Sequence, residues 1–146
     1  MGLFWSERLS IGNGMIDSEH RKLLEMINDI ELAIRARDGV ALLNSFKLLE
    51  DGVRLHFLNE EKLARAINFP FVQNKPEHQY VQNEFQHIKD ELVDQNGVWS
   101  ESAAEYYSHF LSEWMIGHIL DEDMLMKPLL QNYSYDFVPP SVPDFQ

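Results

Sequence analysis

Residues 40–67, VALLNSFKLLEDGVRLHFLNEEKLARAI, decide the fold. Leu43, Phe46, Leu49, Val53, His56 and Glu60 recur at threes and fours, the period of one face of an α-helix. That face runs from hydrocarbon into a histidine and a carboxylate. Residues four apart on a helix are rotated by about 40° and separated by about 6 Å along the axis, so His56 and Glu60 can reach one metal ion or a closely spaced pair. Pro70, just beyond the run, marks the loop that follows.

Three further segments carry the same period. Upstream, Asp17 is the expected N-cap of a helix through Leu23, Leu24, Ile27, Ile30 and Ile34, which stops at Asp38-Gly39, where Gly39 can take the left-handed position past the helix end. Downstream, Pro76 can serve as the first residue of a third helix carrying Tyr80, Val81, Phe85, Ile88 and Leu92 and ending at Asn96-Gly97. Ser100 then caps a fourth, which runs through Phe110, Trp114, Ile119 and Met126 toward Pro128, where it should end or bend. Strand-like alternation is not evident. Long amphipathic helices with short or moderate connections bury their apolar stripes against each other, so the expected fold is all-α, an antiparallel up-down-up-down four-helix bundle. One domain over 1–146 is expected: an extended N-terminal arm (1–16), the bundle (17–131) and a tail (132–146) with three prolines among its aromatics.

Composition bounds the chemistry. Twelve Lys and Arg against twenty-four Asp and Glu give a net charge of −12, which repels phosphate backbones and anionic lipid, so neither nucleic acid nor a membrane is an expected partner. With no cysteine, disulfides, thiolate metal sites and nucleophilic thiols are excluded, leaving imidazole and carboxylate as ligands. The N-terminus lacks a basic segment followed by an apolar run, and no stretch approaches the length that spans a bilayer; a cytoplasmic location is the default expectation. A glycine-rich phosphate loop and a serine nucleophile elbow are both absent, and the adjacent Glu60 and Glu61 diverge by about 100° rather than sharing a substrate.

The other helices carry candidate ligands too. His20 lies on the first, His78 on the third, and His118 and Asp123 on the fourth. An isolated histidine on an amphipathic helix is ordinarily a half-buried or solvated residue, and 121–123 reads equally as an acidic helix end. The set is stronger than its members, because a carboxylate aimed into a bundle core needs a partner charge, and metal ions surrounded by imidazoles would provide it. His118 and Asp123, five apart, are about 140° around a regular helix, so periodicity alone favours Glu122; a π-type turn near Pro128 would rotate Asp123 inward instead. His87 and His109 fall on the opposite faces and are expected at the surface or in a second layer.

At these residues the chain resembles the hemerythrin family, specifically its bacterial branch. WSERLSIGNGMIDSEHRKL at 5–23 is similar to the family's opening segment, with Asp17 and His20 in an Asp-x-x-His pattern. HFLNEE at 56–61 resembles the His-Phe-x-x-Glu-Glu motif, and WMIGHILDEDMLMKPLL at 114–130 the His-Ile-x-x-x-Asp signature. The resemblance spans nearly the whole chain. It implies two non-haem iron ions bridged by Glu60 and Asp123, the latter in preference to Glu122, with dioxygen binding reversibly at one iron. His20 and His56 would serve the iron that accepts dioxygen; His78, position 82 and His118 would serve the other. Imidazole and carboxylate also suit zinc and manganese, so the preference for iron comes from the resemblance.

One position departs from the pattern: where the family carries a second histidine on the third helix, this chain has Gln82. Glutamine offers a neutral amide oxygen, a weaker donor than imidazole, or it withdraws and leaves an exchangeable position. Around such a centre an apolar pocket would admit dioxygen while limiting water and protons; Leu23, Phe57, Phe85, Trp114, Met115 and Ile119 are the candidate lining, although apolar residues at this spacing are core in most proteins. The leading expectation is an oxygen-binding protein for carriage, storage or delivery rather than an enzyme, since the chain leaves no evident room for an output domain. The alternatives are an enzyme-like reaction of an exposed iron with peroxide or nitric oxide, and an oxygen- or iron-sensing module presenting its aromatic tail to a protein partner.

Overall fold

Helix α1 spans Gly14–Arg35, α2 Gly39–Ala66, α3 Lys75–Asp94 and α4 Glu101–Gly117 in a computed structural model that describes residues 3–70, 75–94 and 98–140. No strand occurs among the described residues. Helix α1 packs on α2 and α4, and α2 on α3. Side-chain pairs run in opposite order along neighbours: His20 meets His56 while Met26 meets Gly52, and His78 faces His118 while Glu91 bonds Tyr107. Sequential helices are therefore antiparallel, and the architecture is the expected all-α bundle.

The local signals explain most helix ends. Asp38 accepts from Ala41 N at 3.0 Å and starts α2; Ser100 accepts from Ala103 N at 3.1 Å and starts α4. At α1 the expectation is corrected. Asn13 is the cap, accepting from Ile16 N at 3.0 Å, and Asp17 lies buried in the first turn. A buried carboxylate needs donors, and Asp17 collects three from the chain ends: Ser10 Oγ at 2.5 Å, Ile11 N at 3.0 Å and Tyr135 Oη at 2.8 Å. It clamps arm and tail to the bundle instead of starting the helix. Gly39 is likewise not the left-handed residue after α1. Because Asp38 caps α2, Gly39 is already helical, and the chain reverses at Arg37 with φ 54°. The stop expected at Asn96-Gly97 lies outside the described residues.

The arm is not simply extended, since Glu7–Leu9 forms a 3-10 turn. The tail returns across the start of α1, where Gly14 N donates to Tyr135 O at 2.8 Å and the Asn13 side chain donates to Phe137 O at 2.9 Å.

Two apolar clusters divide the core. The larger includes Leu23, Ile27, Phe46, Phe57, Phe85, Leu111 and Ile119; the smaller gathers Ile11, Ile16, Leu63, Ile67, Met126 and Leu130. On α1, His20 lies between Ile16 and Leu23, and on α2 Glu60 lies between Phe57 and Leu63. Beyond α4, Asp123 lies between Ile119 and Met126. A polar layer thus crosses the bundle between two dry ones.

Candidate metal centre

Asp123 reaches this layer because the fourth helix changes its winding. After α4, His118–Glu122 forms a π-helical turn and Asp123–Met126 a 3-10 turn, before the short helix α5, Lys127–Leu130. The Asp123 N–H donates to the carbonyls of His118 and Ile119, five and four residues back. That wider turn absorbs the extra residue, so Asp123 is fully buried while Glu122 is only half-buried.

The donor atoms then meet at close range. Asp123 Oδ2 lies 2.6 Å from His20 Nε2, 2.9 Å from His118 Nε2 and 3.6 Å from His56 Nε2. Glu60 Oε2 lies 3.0 Å from His56 Nε2 and 3.2 Å from His118 Nε2, and these two ring nitrogens are 3.0 Å apart. Two sets of donors emerge, His20 with His56, His118 and Asp123, and Glu60 with His78 and His118, each with its ligand atoms within 4.8 Å of one another. Donors held about 2.1 Å from one octahedral cation lie about 3.0 Å apart, so this spacing suits a small metal ion.

The electrostatics agree with that fit. Burial presses His118 toward its neutral form, but Asp123 and Glu60 push its pKa up to about 10. Burial opposes a charge on His56 as well, yet Asp123, Glu19 and Glu60 together hold it well above the ordinary histidine range. Asp123 is held well below the carboxylate range: burial would raise it, but the charge and hydrogen bonds of His118, with hydrogen bonds from Glu60 and His20, together outweigh burial. Burial pushes His20 down, and burial with the neighbouring His118 pushes His78 down to about 3. Without a cation the layer therefore needs protons on His56 and His118, positions a metal ion would take over.

The structure brings His20, His56, Glu60, His78, His118 and Asp123 to this layer, all buried. Gln82 stands apart. It is half-buried and lines a surface depression of about 300 Å³ with Arg54, Phe57, Leu58, Glu61, His78 and Gln79. Phe57 stacks on His78 at 3.6 Å between ring centroids, and Trp114 on His118 at 5.6 Å. Leu23, Phe85, Met115 and Ile119 are buried in the larger cluster. His87 and His109 are exposed and pair with Glu91 and Glu113.

Two polar residues escaped the sequence reading. Glu19 accepts from His56 Nδ1 at 2.7 Å, and Asn59 Nδ2 donates to Glu19 at 2.6 Å, so a carboxylate from α1 fixes the far side of the His56 ring on α2. Asn59 three residues after His56 was the available signal.

An imidazole and carboxylate layer inside an antiparallel four-helix bundle defines a metal-binding bundle protein. The chain belongs to the hemerythrin family, whose model, described as the hemerythrin HHE cation binding domain, matches residues 12–130. It is similar to a bacteriohemerythrin of Stenotrophomonas maltophilia (strain R551-3), 28% identical over 122 residues that cover 83% of this chain and 76% of that one. A hemerythrin-like protein of Naegleria gruberi is 29% identical over 126 residues, covering 86% and 92%. Among solved structures, wild-type hemerythrin superposes with a TM-score of 0.76 at 19% identity, over 88% of this chain and 97% of that one, a likeness of fold. Membership implies non-haem iron, and the family binds dioxygen. No helix among the described residues is long and apolar enough to cross a membrane.

Proposed function

We propose that this protein binds dioxygen reversibly, for carriage, storage or delivery inside the cell, at a pair of non-haem iron ions bridged by Glu60 and Asp123. The observation that carries the reading is the state of Asp123. Its Oδ2 faces three imidazoles, while its Oδ1 is buried without a hydrogen-bond partner, leaving donor capacity for a second cation. His20 and His56 would hold one ion, His78 and His118 the other. Ferrous ions, when bound there, would supply the reversible electron donation that dioxygen binding requires. The chain's own part is to orient and to exclude: Glu19 fixes the His56 ring, Phe57 and Trp114 cover His78 and His118, and Leu23, Phe85, Met115 and Ile119 complete an apolar wall that admits dioxygen and keeps out water.

A second reading draws on Gln82. Its place in a solvent-facing depression beside His78 favours access of peroxide or nitric oxide to the less fully ligated ion. Anaerobic reduction of iron-loaded protein, followed by cycles of air and its removal, separates the two. An optical change that reverses in each cycle supports oxygen binding, whereas repeated turnover of peroxide supports the second reading. A pure sample that takes up no transition metal overturns both.

A further inference from the structure

From the metal layer to the surface runs an unbroken column of rings. Tyr106, Phe110, Trp114 and His118 are spaced four apart on one face of the fourth helix. Trp114 lies over His118 at an interplanar angle of 26°. Its centroid is 6.2 Å from Phe85, which is 6.2 Å from Phe110, and Phe110 stacks on Tyr106 at 6.4 Å. A second branch leaves Phe85 through Phe46 at 6.4 Å and reaches Tyr107 at 6.0 Å. Tyr106 is 44% exposed, while Tyr107 beside it is buried. Each phenol donates to a carboxylate: Tyr106 to Glu84, and Tyr107 to Glu91 at 2.7 Å.

Indole and phenol are the side chains oxidised most readily by one electron in a protein without cysteine. A phenol gives up its electron far more easily when a base stands ready for the proton. Hydrogen bonding to Glu84 pushes the Tyr106 pKa up to about 12, so at neutral pH the proton stays on oxygen until the electron leaves.

We infer that Trp114, with Tyr106 and Tyr107 at the ends of the two branches, is an electron relay that discharges the metal centre to the surface when the centre meets peroxide. This rests on the iron reading above. Reducing one peroxide to two waters consumes two electrons and two protons. With the irons already ferric, each electron would leave a tyrosine and pass through Trp114; the phenolic proton would move to Glu84 or Glu91, and solvent would supply the two protons consumed. The resulting tyrosyl is restored by a one-electron donor of the thiol or ascorbate class, recovering its proton from the carboxylate. Tyr80 also touches the column, 6.3 Å from Phe110, but among the described residues no carboxylate accepts from its phenol as one does from Tyr106 and Tyr107, so it is expected to carry fewer adducts. Trp5, Tyr133 and Tyr135 have no place in the column.

The test treats iron-loaded, air-oxidised protein, whose ferric ions have no electrons to give, with hydrogen peroxide in the presence of a nitroso spin trap, maps adducts by peptide mass spectrometry, and measures iron content independently. Adducts are expected on Tyr106 and Tyr107. Trp114→Phe should lose most of them per iron bound, and Glu84→Gln, a change at a partly exposed position outside the apolar core, should lower the Tyr106 adduct severalfold while sparing Tyr107. Adducts that are undiminished in both variants, or that gather on Trp5, Tyr133 and Tyr135, overturn the relay with iron binding intact. A protein that binds no iron overturns the proposed function and this inference together.

Discussion

His56 is held at both ring nitrogens, with Nε2 in the donor cluster and Nδ1 donating to Glu19, which Asn59 anchors in turn. A negative partner behind a ligand imidazole fixes its tautomer and raises its basicity, and its loss typically weakens metal binding by about 10–100-fold. Glu19→Gln keeps the shape and removes the charge; iron affinity, measured by competition with a chelator, should fall within that range at unchanged helicity. Unaltered affinity would make Glu19 a packing residue. At position 82 the expected change has the opposite sign. Gln82→His offers an imidazole one turn beyond His78, and iron retained after gel filtration should rise; unchanged iron content and spectra would show that this position does not serve the metal. The residues of the buried imidazole and carboxylate layer were legible because they sit on helical faces that periodicity exposes. Glu19 was not, since an acid in the run Ser18-Glu19-His20-Arg21 looks like a solvated face until α2 brings His56 across from it.

At the scale of elements, the π turn decides which acid enters the core. Sequence reasoning could name the device but not choose between Glu122 and Asp123 without a resemblance, because a π turn has no residue signature and is stabilised by what its rotation buries. Asp38, which caps α2, was read only within the stop of the first helix; Ser100, a side-chain cap, was readable in advance. Asn13 and Arg37 were not, because Asp17 is drawn away by donors from residues far along the chain and Gly39 is taken over by the next helix. The winding yields a prediction. Deleting the exposed Asp121 leaves His118 and the following Asp four apart, which a regular helix places on one face, so iron binding should survive. Met126 and Leu130 should stay in the smaller cluster as well, because the residue removed is the one the wider turn absorbs. Inserting one alanine after Asp121 instead would turn Asp123, Met126 and Leu130 together by about 100°, out of the layer and the cluster. Removing one such core side chain costs about 2–5 kcal/mol, so the insertion should lower both iron content and the denaturation midpoint. A midpoint that holds steady in the insertion variant would mean the irregular turn is not what seats those residues.

Over the whole molecule, the bundle gathers its buried charge, Asp17 apart, into one layer between two apolar clusters, in a chain whose surface carries most of its net −12. Such a layer must be neutralised in every state. In the metal-free fold the compensating charges are protons on His56 and His118, whose pKa values stand above the unfolded value near 6.5. Their stabilising effect is therefore fully present below that value and is lost as the pH rises through about 10 for His118. Metal ions require neutral imidazoles, so binding has to expel those protons. His20 and His78, held below the ordinary range, have none to give at neutral pH. Titrating ferrous ion into metal-free protein near pH 7.5 should thus release about two protons, read from the calorimetric heat in buffers of different ionisation enthalpy. Apparent affinity should then strengthen by about tenfold per pH unit for each proton displaced, until the pH passes the histidine values. Heats that do not depend on the buffer would mean that the layer carries no exchangeable protons, and that something other than a cation balances Glu60 and Asp123.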